Sequence, residues 1–344
     1  MSAAPAAAPR WKAILFRHET LLLLVLVAEW FYFDAVGARF ATLDNTFEIV
    51  RHHVEIGLLA LVMTPVILTG GIDLSVGSLL GLCAILFGKF WRDAGLSPLE
   101  AGACTIVVGA LAGGLNAALI TELRLPPLIV TLGTYSLFRG LAEAITHGSD
   151  TFTGFPSSFL ALGQGHWLGL PAQTPVFVVV ALGVWLLVHR TTFGRGFRAI
   201  GFAPEGARYA GIPVERRLAL AYVLTGMVAA VAAIIYTARL GQARADAGTG
   251  YELYAITAVV LGGTSIFGGV GSVHGTLLGL AAIAVLDDGL VHARLPREAA
   301  GVLTGVLLLL ALTGSVAPKL WAARSKRRPA PPAATPPSPP LPTP

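Results

Sequence analysis

Apolar runs long enough to cross a bilayer recur over residues 20–316, and that recurrence leaves few folds open. Ten segments stand out: 20–36, 54–69, 74–91, 99–121, 126–146, 174–189, 216–238, 253–267, 271–290 and 298–317. In lipid the backbone must satisfy its own hydrogen bonds. Helices do this locally, whereas barrel strands would alternate apolar with polar residues, and these runs do not alternate. The expectation is an all-α polytopic transmembrane bundle of about ten spans with broken helices. Composition agrees: only 12% of the 344 residues are charged, about half of what a soluble domain carries.

Three regions follow: an N-terminal segment, 1–19, the membrane domain, 20–317, and a basic tail, 318–344, whose last sixteen residues hold nine prolines. Such a tail has no core to join. With both termini on one side, the loops on that side hold fifteen Lys and Arg and those opposite hold eight. The bias puts both termini in the cytoplasm. The net charge of +5 therefore reflects topology, and no nucleic-acid partner is expected. Cys83 and Cys104 lie in apolar spans without metal or redox spacing, and read as small buried residues. No cleavable signal is evident, since the first span is long and no small-residue cleavage site follows it.

Nucleotide and catalytic motifs are missing. There is no GxxxxGK[ST] phosphate loop, no HExxH and no GxSxG, and Gly88-Lys89 is followed by Phe90. No catalytic residue, metal site or cofactor is expected, which leaves transport or a structural role.

Residues 68–78, "LTGGIDLSVGS", interrupt two apolar runs with two glycines and a carboxylate. The preceding segment has sixteen residues, about 24 Å of helix against roughly 30 Å of hydrocarbon. Broken helices of this kind line solute passages, because irregular backbone survives at membrane depth only against protein or water. Asp73 then either presents a carboxylate to a hydroxylated solute or organises the broken backbone. Alternatively the stretch is an interfacial hairpin in which Asp73 or Ser75 caps the next helix. Every reading keeps Asp73 off the lipid face. Gly70, Gly71, Asp73 and Ser75 are the candidate residues.

A second break, "VVLGGTSIFGGVGSVHGTLLGL" at residues 259–280, offers Gly262 and Gly263 with the hydroxyls of Thr264 and Ser265. Its Gly-Gly, Val-Gly-Ser and Leu-Leu-Gly-Leu pattern fits either a repeat of the first break or convergent small-residue packing. Among polar residues inside spans, Asn116 and Thr134 can bond across helices or line a path. Arg139 either lies near an outer mouth or snorkels to headgroups. Asp287 and Asp288 sit near an outer loop and are candidates to meet an external protein.

The loop at residues 190–217, "RTTFGRGFRAIGFAPEGARYAGIPVERR", is basic. Pro204 suits a first helical turn, and Glu205 to Tyr209 form a short helix ended by Gly211 and Pro213. Such a helix can dock into a partner's groove; the alternative is a plain positive-inside loop.

Together these three stretches resemble the signature segments of the ribose/xylose/arabinose/rhamnose-type permeases of bacterial ABC importers, in the same order and over roughly residues 20–317. The start "HETLLLLVLVAEWFYF" and "SLFRGLAEAITHGSDTFTGFPSSFLALGQG" look closest to the rhamnose and autoinducer-2 branches. The resemblance implies an inner-membrane permease subunit pairing with another copy or a homologue. It would be driven by a cytoplasmic ATPase and supplied with a monosaccharide by a periplasmic sugar-binding protein, with lipid around it. It also implies that Arg198, Gly201, Pro204, Glu205, Ala207, Arg208, Gly211 and Ile212 form the ATPase-coupling element. Many relatives carry Gly-Gly-Asn where this chain has Gly201-Phe202-Ala203-Pro204, so one polar docking side chain is lost. The same architecture could import autoinducer 2 or another small solute. An ion-coupled carrier would need buried titratable pairs, for which only Asp73 and Arg139 are eligible.

Overall fold

The computed structural model describes residues 18–37, 39–148, 150–295, 301–310 and 313. Residues 1–17 and the expected tail at 318–344 lie outside them. Thirteen helices are found among the described residues. They are α1 (His18–Val36), α2 (Leu43–Leu68), α3 (Val76–Arg92), α4 (Pro98–Thr121), α5 (Pro127–Ile145), α6 (Ser157–Gln164), α7 (Thr174–Arg190), α8 (Thr192–Phe202), α9 (Pro204–Tyr209), α10 (Val214–Leu240), α11 (Tyr251–Leu261), α12 (Val273–His292) and α13 (Gly301–Leu310). Four two-residue strands accompany them: β1 (Phe152–Thr153), β2 (His166–Trp167), β3 (Leu170–Pro171) and β4 (Gln242–Ala243). The all-α polytopic bundle stands.

The count of ten spans is not confirmed. Every apolar segment falls at least partly on a helix, but among the described residues five helices are long and apolar enough to cross a membrane: α2, α4, α5, α10 and α12. A sixth arises if α7 and α8, bent by 67°, count as one span. Helices α3 and α11 stop at 17 and 11 residues, and α1 carries Glu19, Glu29 and Asp34.

The segment expected to fall short of the hydrocarbon core is in fact part of a long central helix. α2 has 26 residues, about 39 Å at 1.5 Å per residue. Its first turns are polar, so hydropathy misses them, but Thr42 accepts a hydrogen bond from the Asn45 N–H at 3.3 Å and starts the helix early. From His53 to Leu68 every residue is buried. A helix apolar all round belongs inside, and α7, α10, α11 and α12 surround this one. The most extensive helix pairing is α4 with α10. It is a small-residue seam in which Gly109 and Gly226 bring the two backbones together. Cys83 is buried as expected, but Cys104 is exposed on the outer face of α4.

The chain connections separate into two ends. At one end β1 pairs antiparallel with β4, matching Phe152 with Ala243, and so ties the loop after α5 to the loop after α10. There Gln173 also donates to the Arg51 carbonyl at 2.5 Å. The glycine-rich breaks and the basic segment gather at the opposite end.

Candidate translocation site and coupling element

Between α2 and α3 the chain is non-helical at residues 69–75, yet most of it is buried. Gly70 takes a φ of 82°, which lets the backbone turn out of α2. Asp73 is 2% exposed. Its Oδ1 accepts from the Ser75 N–H at 2.9 Å and from the Ser75 hydroxyl at 2.6 Å. The Ser75 hydroxyl in turn accepts from Asn116 Nδ2 at 2.9 Å, and Asn116 Oδ1 accepts from the Thr134 hydroxyl at 2.8 Å. One continuous polar chain thus joins the break to α4 and α5. Thr131 adds a bond to the Ile72 carbonyl at 3.1 Å. Ser75 stands at the N-cap position of α3 but makes no capping bond with its side chain. The side chains of this network are buried within the protein. Asp73 organises the broken backbone, and Asn116 and Thr134 lock it to neighbouring helices.

Arg139 is not part of this network. Its Nη1 donates to the Ala245 carbonyl and, at 3.1 Å, to the Ala247 carbonyl, gripping the loop after α10. Its guanidinium is thus engaged by the loop after α10. Gly262, Gly263, Thr264 and Ser265 turn the chain after α11, with Gly263 at a φ of 87°. The Thr264 hydroxyl is buried without a hydrogen-bond partner among the described residues. Ser265 closes a local turn, its N–H donating to the Val270 carbonyl at 2.9 Å. The second break therefore supplies no side chain to the Asp73 network.

The two breaks meet through backbone. The Gly269 N–H donates to the Leu68 carbonyl at 2.9 Å. Gly201 of α8 lies over that bond: a β-carbon there would fall 2.1 Å from the Leu68 oxygen and 2.3 Å from the Gly269 nitrogen. Three stretches distant in sequence thus share one contact that no side chain larger than hydrogen permits. Arg198 adds a second tie, donating to the Gly271 carbonyl at 3.4 Å and the Val188 carbonyl at 3.1 Å.

The short helix read from Pro204 to Tyr209 is present as α9. Ala207 is buried against Ile200 and Val214, with Ile212 packed beside them. Gly211 ends the turn at a φ of 77°. Arg208 donates to Glu205 Oε1 at 2.5 Å and to Glu215 Oε1 at 2.8 and 3.0 Å. The Glu215 hydrogen bonds, with the Glu205 charge beside them, hold the guanidinium above its ordinary pKa. Sequence reasoning missed α8, whose buried Gly194 and Gly196 look like loop residues, and it missed Glu215, which lies beyond Pro213 at the start of a new span. A pocket of about 570 Å³ joins α9 to the first break. Thr69, Gly70 and Gly71 form one wall, and Pro204, Glu205, Arg208, Glu215 and Arg124 lie across from them.

Asp287 stays partly exposed, whereas Asp288 is largely covered. Asp287 sits 3.4 Å from His53, and Asp288 accepts from Asn45 at 2.8 Å and lies 3.2 Å from His292. Among the described residues no group of three or more His, Cys, Asp or Glu could hold a metal.

The profile of the family described as "Branched-chain amino acid transport system / permease component" matches residues 45–312. That is well over half of the chain. The chain belongs to this permease family. The permease is also 37% identical over 329 residues to the Autoinducer 2 import system permease protein LsrD of Escherichia coli strain K12, covering 92% of the chain and 99% of the relative. The same figures hold for the LsrD proteins of Shigella flexneri and of Escherichia coli O157:H7. No solved structure matches significantly. The resemblance to importer permeases read from the three motifs is borne out. The permease is a multi-pass inner-membrane protein, and its relatives are transport components rather than enzymes.

Proposed function

We propose that this permease is the membrane subunit of an ATP-driven importer for a small, neutral, polyhydroxylated solute, with autoinducer 2 the favoured cargo and a rhamnose- or ribose-type monosaccharide the alternative. The relatives named for autoinducer 2 import support the first cargo. The observation that carries the reading is the buried Asp73–Ser75–Asn116–Thr134 chain beside the pocket that α9 borders. It sets a carboxylate, hydroxyls and an amide at a helix break, chemistry suited to hydroxyl groups. The basic loops put α9 and both termini on the cytoplasmic side, where α9 with Arg198, Gly201 and Arg208 meets a separate ATPase. A second permease copy or homologue completes the path, and a periplasmic binding protein delivers the solute.

The test is uptake by proteoliposomes holding the permease, its ATPase and its binding protein, with labelled autoinducer 2, L-rhamnose and D-ribose offered separately. Uptake of autoinducer 2 that requires ATP and ignores collapsed ion gradients is expected. ATP-independent uptake abolished by a protonophore would overturn the proposal.

A further inference from the structure

We propose that the Tyr222 hydroxyl and the free carboxylate oxygen of Asp73 form a subsite for one hydroxyl group of the imported solute, on the buried side of Gly71, which separates them from the pocket it lines. The inference rests on the import reading above and names residues that would contact the cargo.

Tyr222 stands on α10, fully buried, and its hydroxyl has no hydrogen-bond partner among the described residues. It aims at the first break: a β-carbon built on Gly71 would fall 2.6 Å from the phenolic oxygen. Asp73 lies two residues further on, within electrostatic reach of Tyr222. Both hydrogen bonds that Asp73 accepts go to Oδ1, and Oδ2 accepts none among the described residues. Gly71 itself lines the pocket. A donor and an anionic acceptor therefore flank the same stretch of backbone, each with capacity unused.

A buried hydroxyl without a partner destabilises a fold, and phenylalanine would fill the same space without that cost. A solute hydroxyl resolves the deficit, because it accepts from Tyr222 while donating to Asp73 Oδ2. The bonds from Ser75 hold Oδ1, so Oδ2 is left in a fixed direction. This chemistry favours a neutral polyol. An anionic solute meets the Asp73 charge, and the aliphatic side chain of a branched-chain amino acid leaves both groups unpaired.

The experiment uses the complete transporter in proteoliposomes, with autoinducer 2 and L-rhamnose as probes. Tyr222→Phe should lower the uptake rate of the transported probe about tenfold, the weight of one hydrogen bond lost to a solute. Membrane yield and thermal midpoint should hold or rise, since an orphan hydroxyl is removed. Asp73→Asn, which turns the Oδ2 position into a donor, should cost uptake by a similar factor. The two losses should fail to add in the double variant, because both act on one solute hydroxyl. Wild-type uptake per folded Tyr222→Phe transporter would overturn the subsite, as would fully additive losses. Wild-type proteoliposomes that import neither these probes nor D-ribose would overturn the import reading beneath it.

Discussion

At the scale of the residue, the two oxygens of Asp73 stand in different situations: among the described residues only Oδ1 accepts hydrogen bonds. Oδ1 accepts twice from Ser75 and fixes the start of α3. Asp73→Asn keeps an oxygen for those bonds, so membrane yield should stay near wild type. Asp73→Ala leaves the Ser75 N–H and hydroxyl without that acceptor in a buried site, a loss of about 1–3 kcal/mol. Its yield and uptake should both fall, measured as folded protein per cell and as transport per folded protein. Wild-type values of both in the alanine variant would remove any role for the carboxylate. Asp73 was legible in the sequence because a carboxylate inside an apolar run is costly and must be kept for a reason. Tyr222 was not, since a tyrosine in an apolar helix looks like packing until its hydroxyl is seen to lack a partner.

At the scale of the element, the glycine-rich breaks were legible, but their convergence was not. Glycines announce that a backbone bends or approaches another closely, without saying which. Only the fold shows that Gly201 meets the Leu68 and Gly269 backbone. The coupling helix was legible from Pro204 and Gly211, whereas its anchor, Glu215, belongs to the next element. That anchor changes what a charge reversal does. Glu205→Arg with Arg208→Glu keeps an opposite pair within α9 but sets two carboxylates together at positions 208 and 215. The expected outcome is ATP hydrolysis uncoupled from uptake in a protein that still inserts. Adding Glu215→Arg restores an opposite charge and should recover part of the coupling. Unchanged uptake in the double variant would show that the contact transmits nothing.

At the scale of the whole molecule, the two ends are built differently. The end bearing α9 holds the pocket of about 570 Å³ and the backbone junction of the breaks. At the other end the β1–β4 pair and Arg139, on the carbonyls of Ala245 and Ala247, tie two loops together beside a smaller pocket of about 350 Å³. A bundle was legible because apolar runs recur, but the number of crossings was not. Hydropathy stops at the polar first turns of α2 and cannot tell a crossing helix from the buried half-length α3 and α11. Loading solute through the far end requires its two loops to part, so Arg139 should act as their fastening. Arg139→Gln keeps an amide donor but loses the reach and the charge that hold two carbonyls at once. In a background with Cys83 and Cys104 replaced, a cysteine put at Ala245 should react several times faster with a membrane-impermeant maleimide once Arg139→Gln is added. The ratio is read in intact cells, where only the outer end meets the reagent. Equal rates with and without Arg139→Gln would show that the strand pair alone holds the loop, leaving Arg139 no part in closing that end.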